Sequence, residues 1–132
     1  MFDAIDISTS GLVAQRVRIN TIAMNTANIG SVAGPDGQPY KRRSVIFQPG
    51  TDAHDKNQQG VHVAKINKEN AFRWQHDPKH PYANEDGYVK MPDINPIVEY
   101  VNMMEAHRAY EANIAAIEVS KAMLNSSLRL LA

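Results

Sequence analysis

The chain has 132 residues, a length typical of one domain, and its 14 basic and 14 acidic residues give a formal net charge of zero. Strong nonspecific binding to nucleic acid depends on a basic surface, so the balanced charge argues against a nucleic-acid partner. The sequence contains no cysteine, which excludes disulfides, thiolate catalysis and cysteine-based zinc sites.

The start of the sequence lacks the features of a secretory signal. Residues 1–3 contain no Lys or Arg, and polar residues interrupt every early apolar run. No segment approaches the roughly 18 uninterrupted apolar residues of a membrane-spanning helix. We therefore expect a chain without a direct membrane span that does not use the general secretory route.

The first predicted element is a helix over residues 3–28. Apolar residues recur in it at seven-residue spacing, which is typical of a stripe that packs against another helix. Further apolar residues lie on its other faces, which indicates several neighbours. The predicted contact residues are Ile5, Leu12, Ile19 and Ile22. Since Gly11 should cost a helix about 1 kcal/mol relative to alanine, we expect this helix to form mainly when packed.

A β-containing segment is predicted to follow this helix. Glycines and prolines between residues 30 and 39 supply turn chemistry. Residues 40–47 and 61–66 each read as a strand, and the polar residues 51–60 between them as a loop. The two strands together predict a short β-hairpin region.

The residues after this hairpin give a weaker signal. Residues 72–74 extend or follow the second strand, whereas residues 77–89 contain two prolines and an Asp-Gly turn and are predicted as loop. His76, Asp77 and His80 are residue types that bind metals, but prolines at this spacing oppose the helix that would align the two histidines. A polar loop is the favoured interpretation, and a metal-dependent enzyme is the alternative.

Three consecutive basic residues, Lys41, Arg42 and Arg43, lie at the start of the first predicted strand. Exposed charges on a strand prevent it from pairing with strands of other molecules. A contact with an acidic neighbour is the functional alternative for this triplet.

The last predicted element is a helix from Asn95 to the end of the sequence, with Asn95 as its N-cap and Pro96 at its first position. About 36 residues at about 1.5 Å each give a rod near 54 Å long, which a chain of this length cannot surround with a globular core. Apolar residues alternate at steps of three and four, with a lysine in one slot. The predicted seam consists of Tyr110, Ile114, Ile117, Leu124, Leu128 and Leu131.

These elements predict a mainly α fold with a small β-containing middle. The N- and C-terminal helices are expected to pair as an α-helical coiled coil, with the short β-hairpin region between them. The predicted division is a terminal helix at residues 1–30, a β and loop domain at 31–92, and a second terminal helix at 93–132. We expect no catalytic, cofactor-binding or metal site.

Three stretches of the sequence resemble the flagellar basal-body rod proteins. The first reads ISTSGLVAQR at residues 7–16 and continues to NTAN at 25–28. The second reads PYKRRSVIF at residues 39–47. The third begins with DPKHPYANEDGYV at residue 77 and ends with NMMEAHRAYEAN at residue 113. The third stretch and the short middle segment are most similar to the FlgC family, the proximal rod subunits.

This resemblance implies a structural subunit of the periplasmic proximal rod, exported by the flagellar type III apparatus without a cleaved signal. It implies contacts with other rod proteins, with the rod-base protein at the membrane ring, and with copies of the chain itself. The asparagines Asn25 and Asn28 of the first motif join the predicted helix-packing residues. Another flagellar axial protein and a cytoplasmic coiled-coil adaptor are the remaining alternatives.

Overall fold

The computed structural model describes residues 2–32, 37–50 and 59–132. Two helices lie at the ends of the chain and four strands lie between them within this described part. The elements are α1 (Phe2–Ala27), β1 (Arg43–Pro49), β2 (Val61–Lys68), β3 (Phe72–His76), β4 (Tyr88–Pro92) and α2 (Pro96–Leu131). The prediction of terminal helices around a small β-containing middle is therefore confirmed, whereas most of the predicted loop at 51–60 lies outside the described residues.

Helix α2 begins as its sequence predicts. The side-chain oxygen of Asn95 accepts a hydrogen bond from the backbone N–H of Ile97 at 2.9 Å, and Pro96 occupies the first turn. Glu99 lies in the first turn and Arg129 in the last, where each charge is favourable toward the helix dipole. Local signals alone therefore define where this 36-residue helix starts.

The two helices pack against each other in antiparallel directions. Gly11, in the first half of α1, faces Asn113 of α2, and Asn25, near the end of α1, donates a hydrogen bond to Glu99 in the first turn of α2. Residue numbers therefore increase along α1 in the direction in which they decrease along α2. Small side chains line this contact, with Ala14 2% exposed and Ala106 fully buried. Their size lets the two backbones approach closely. Supercoiling of the pair into a coiled coil stays a prediction.

The strands form two separate antiparallel hairpins. In the first, β1 pairs with β2 from Arg43 opposite Lys68 to Pro49 opposite Val61. This hairpin packs on α1, where the backbone N–H of Val61 donates to the Ser10 hydroxyl at 3.0 Å. The predicted strands at 40–47 and 61–66 are present with shifted ends. Strand β1 begins only at Arg43, where hydrogen bonds from α1 hold the backbone.

The second hairpin corrects the prediction that residues 77–89 are entirely loop. Strand β4 pairs with β3, with Tyr88 opposite His76 and Pro92 opposite Phe72. The Asn84 side chain accepts the backbone N–H of Tyr88 at 2.8 Å and fixes the turn that precedes β4. The strand was missed because it is only five residues long and ends in proline.

The buried apolar core is small. Within the described residues its members are Ala14, Ile22, Val89, Ile94 and Ala106. Strands β3 and β4 pack on each other rather than on the helices. Large apolar side chains are exposed on both helices, for example Phe2 at 69% and Leu131 at 86%. The packing of a single chain therefore leaves much apolar surface in water.

Candidate assembly interface

A buried polar cluster joins α1, β1 and α2. The Asn25 side chain is fully buried. Its oxygen accepts the backbone N–H of Arg43 and the hydroxyl of Tyr40, each at 2.9 Å. Its nitrogen donates to the Arg43 carbonyl at 2.8 Å and to the Glu99 carboxylate at 3.3 Å. Both donors and both acceptor sites of the amide are thus occupied, which fixes the start of β1 against the two helices.

An ion pair completes this polar cluster. Glu99 is 1% exposed and accepts a hydrogen bond from Arg42 Nε at 2.6 Å, while Glu69 accepts from another nitrogen of Arg42 at 2.8 Å. Burial lowers the pKa of Arg42, but the hydrogen bonds and negative charges of Glu99 and Glu69 outweigh burial and hold the pKa above its ordinary value. Arg42 therefore neutralises the buried carboxylate of Glu99.

The Tyr40 phenol lies beside this cluster, and the same burial and the same charges act on it. Burial raises the pKa of Tyr40, as does the Glu99 charge, whereas the positive charges of Arg43 and Arg42 act in the opposite direction. A phenol is protonated at neutral pH at its ordinary pKa, and the raised pKa of Tyr40 preserves this state at more alkaline pH. Tyr40 therefore remains a donor to the Asn25 oxygen.

The predicted packing residues occupy different environments in the single chain. On α1, Ile22 and Asn25 are buried, and Ile5, Leu12 and Ile19 are half-buried. Asn28 follows α1, where its nitrogen donates to the Met24 carbonyl at 2.8 Å. On α2 the half-buried predicted residues are Tyr110, Ile117 and Leu124, and the exposed ones are Ile114, Leu128 and Leu131. Contacts of these residues with other chains stay a prediction.

A second row of α2 residues was missed by the sequence analysis. Asn113, Ser120 and Ser127 are half-buried and recur every seven residues. Small polar residues give no signal in a search for apolar spacing. A serine inside a helix can satisfy its hydroxyl on the backbone carbonyl four residues earlier, as Ser120 does with Ala116 at 2.8 Å. Asn113 and Ser120 lie within the stretch of α2 that α1 covers, so this contact is more polar than the predicted seam.

Gly11 has a packing role that explains its place inside a helix. A methyl group at this position would lie 2.8 Å from Asn113 Nδ2 and 2.9 Å from Asn113 Oδ1. Asn113 in turn donates to the Ala109 carbonyl at 2.9 Å, so its side chain is held at the contact. The missing side chain of Gly11 therefore leaves the space that Asn113 fills.

We expect the effect of Gly11→Ala to depend on Asn113. With Asn113→Ala present, the substitution should raise the free energy of unfolding by about 1 kcal/mol because alanine favours the helix. With Asn113 intact, the clash should cancel or reverse that gain. Urea unfolding of the two single variants and the double variant measures the coupling. Equal effects of Gly11→Ala in both backgrounds would contradict a direct contact.

The C-terminal end of α2 extends past the start of α1. The antiparallel register places the first residue of α1, Phe2, opposite about Ala122. The following residues of α2 lie beyond the described start of α1. Four of their apolar side chains are exposed, Met123 at 58%, Leu128 at 56%, Leu130 at 88% and Leu131 at 86%, whereas Leu124 is half-buried. We call residues 123–131 the α2 tail. An apolar helical tail without a partner is a candidate contact with another chain.

The histidines considered as metal ligands contact aromatic rings. The His76 ring meets the Tyr88 ring edge-on at 5.0 Å, and His80 Nδ1 accepts the backbone N–H of Tyr82 at 3.1 Å. No group of three or more metal-ligating side chains suited to a metal ion occurs within the described ranges. Neither helix in that part of the chain is long and apolar enough to cross a membrane.

Known proteins match nearly the whole chain. The flagellar basal-body rod protein FlgC of Aquifex aeolicus is 41% identical over 121 residues, covering 92% of this chain and 90% of that protein. The protein of the same name from Salmonella typhimurium is 40% identical over 131 residues, covering 98% and 97%. The chain belongs to the FlgC family of flagellar basal-body rod proteins. The resemblance seen in the sequence motifs is confirmed.

A less similar FlgC relative and a family model agree with this membership. FlgC of Bacillus subtilis is 33% identical over 145 residues, covering 98% of this chain and 97% of that protein. The model of the flagellar basal body rod FlgEFG protein C-terminal family matches residues 85–130. That range contains β4 and almost all of α2, including most of the α2 tail. The names of these relatives describe rod proteins rather than enzymes.

Proposed function

We propose that this chain is a structural subunit of the proximal rod of the bacterial flagellum, which assembles through its terminal helices and transmits torque across the periplasm. Membership in the FlgC family supports the rod assignment. The observation that carries the assembly mechanism is the α2 tail, because three of its leucines, Leu128, Leu130 and Leu131, are more than half exposed in the single chain. In the rod, helices of neighbouring subunits cover this surface.

Burial of the tail supplies a driving force for assembly. Leu130 and Leu131 are 88% and 86% exposed in the single chain. Covering a leucine side chain contributes about 1.5–3 kcal/mol, and the summed contribution of the tail offsets the entropy that its residues lose when they become ordered. Close packing of helices around the rod axis then resists deformation, which a torque-transmitting shaft requires.

In the free chain, the helix ends lack the apolar burial that assembly would supply, so we expect them to fray. Isolated helical turns gain little stability from propensity, and the register set by Gly11 and Asn113 places most of the α2 tail beyond the described start of α1. We expect less helix in the dilute monomer than the 26 and 36 residues of α1 and α2, with helicity increasing on assembly. Circular dichroism over a concentration series measures this change, and full helicity in the dilute monomer would contradict it.

The proposal includes partners and a route of export. Other rod proteins, the rod-base protein at the membrane ring and copies of this chain would contact the terminal helices, with the two hairpins outside. The flagellar type III apparatus would export the chain without a cleaved signal. Helices that become fully ordered only on assembly suit a chain that must pass through a narrow channel unfolded.

The decisive experiment places charge on the α2 tail. We expect a Leu128→Asp and Leu131→Asp double variant to lose rod incorporation and motility, because assembly would bury two unpaired carboxylates. Both leucines are exposed in the single chain, so the monomer should keep its folded structure. Motility in a strain that lacks the native chain, and fractionation of the variant with basal bodies, are the two measurements.

A matched control carries the same added charge on the same tail. Asn125 and Ser126 are exposed polar residues of α2, and Asn125→Asp with Ser126→Asp adds two carboxylates without removing apolar surface. We expect this control to retain most of its motility. Normal motility of the leucine variant, or equal loss in both variants, would refute the apolar contact as the basis of assembly.

A further inference from the structure

A cavity lined by three arginines lies where α1, β1 and α2 meet. Its volume is about 160 Å³, room for roughly five water molecules at about 30 Å³ each. Arg18, Thr21 and Asn25 line it from α1, Arg43 and Ser44 from β1, and Asn102 from α2. Arg42, Ile22 and Val45 complete the lining, so the walls combine apolar surface with hydrogen-bonding and positively charged groups.

Several of these wall groups have no hydrogen-bond partner among the described residues. The Nε atom of Arg43 is buried and unpartnered, and its guanidinium lies over the Tyr40 ring at 5.6 Å. The Ser44 hydroxyl and the Asn102 amide line the cavity without a side-chain hydrogen bond to any described residue. A buried, unpartnered N–H is rare in folded proteins, because losing its hydrogen bond to water costs about 1–3 kcal/mol.

The charges around the cavity favour an anion. Three arginines line it, and no carboxylate lies among its lining residues. Arg42 is already paired with Glu99 and Glu69, and Arg18 with Glu105 at 3.3 Å. The Arg43 guanidinium is the one lining cation without a carboxylate partner in the described ranges. A negatively charged group with oxygen acceptors would satisfy Arg43, Ser44 and Asn102 together.

We propose that this cavity binds a carboxylate or other small oxyanion, and that an acidic side chain of a neighbouring subunit supplies it in the assembled rod. The oxyanion accepts hydrogen bonds from the Arg43 guanidinium, the Ser44 hydroxyl and the Asn102 amide. Such a carboxylate would be the acidic neighbour that the sequence analysis considered for the basic triplet of Lys41, Arg42 and Arg43. The neighbouring subunit as the source rests on the proposed rod function, whereas the oxyanion site does not.

The site is tested by titrating the purified full-length chain with inorganic phosphate at constant ionic strength. We expect saturable NMR shifts of the Arg43 Nε–H and the Asn102 amide signals. Arg43→Gln should weaken phosphate binding about tenfold or more, since a charge-assisted hydrogen bond is lost. Lys41→Gln removes one positive charge from the same segment at a residue that does not line the cavity, and should change binding less than twofold.

A second variant and a cellular measurement complete the test. Asn102→Ala should also weaken phosphate binding, and it keeps the result interpretable if Arg43→Gln fails to fold. Linear, non-saturating shifts, or equal losses in the Lys41 and Arg43 variants, would overturn the oxyanion site. Reduced motility for Arg43→Gln but not for Lys41→Gln supports the neighbouring subunit as the source. Normal motility of a variant that has lost phosphate binding overturns that source and assigns the site to a free oxyanion.

The outcomes of the phosphate titration are independent of the rod assignment, whereas the motility outcomes rest on it. Failure of the proposed function appears as absence of the native chain from basal bodies, whatever phosphate does to the purified protein. Failure of the oxyanion site appears in the titration alone. A chain that fractionates with basal bodies but shows no saturable phosphate binding would leave the rod function intact and remove this inference.

Discussion

Replacing Asn25 by alanine is expected to lower the free energy of unfolding by about 3–5 kcal/mol, one of the two largest effects of a single change in this chain. The substitution removes four hydrogen bonds at a side chain that is fully buried. It also leaves the Arg43 backbone groups and the Tyr40 hydroxyl without their partner, and an unsatisfied buried group costs more than the bond itself contributed. Urea unfolding followed by circular dichroism measures the loss.

Asn20→Ala is the matched control for this prediction. Asn20 lies on the same helix, and its side chain is exposed. Alanine has the higher helix propensity, so the control should be neutral or slightly stabilising. A loss below about 1 kcal/mol for Asn25→Ala would mean that water replaces the amide at low cost and that the cluster does not fix β1.

Replacing Arg42 by methionine is expected to cost about 3–5 kcal/mol, because it leaves a buried carboxylate without its cation. Glu99 is 1% exposed, and the remaining side-chain donor is Asn25 at 3.3 Å. The Arg42→Met and Glu99→Met double variant should recover much of the loss, since two apolar side chains need no counter-charge. Thermal unfolding of the single and double variants gives the coupling between the two positions.

Arg18→Met provides the comparison with a more exposed ion pair. Arg18 contacts Glu105 at 3.3 Å, and the Glu105 side chain is 66% exposed. Solvent screening reduces such a pair to about 0–1 kcal/mol, so this variant should change stability far less than Arg42→Met. Equal effects of the two variants, or a double variant less stable than Arg42→Met, would contradict the role of Glu99 as a buried charge that Arg42 neutralises.

The buried cluster shows why part of the interface could not be predicted. Asn25 was placed among the packing residues because it belongs to a motif, and nothing in its local sequence indicates Arg43 and Glu99 as partners. Those residues are 18 and 74 positions away. A basic triplet also looks the same whether its side chains reach solvent, a carboxylate or a cavity. The strand that was missed, β4, gave a weak signal because its pairing with β3 depends on a turn several residues long.

By itself the sequence determined the elements whose signals are local: two terminal helices, the Asn95 cap, the first hairpin and the motifs of the rod family. The tertiary structure alone decided which side of α2 faces α1, why Gly11 lies inside a helix, and how Arg42 and Asn25 enclose Glu99. The physical reason is distance along the chain. Capping and periodicity act within one or two turns, whereas hydrogen bonds and close contacts between remote segments depend on how the whole chain folds.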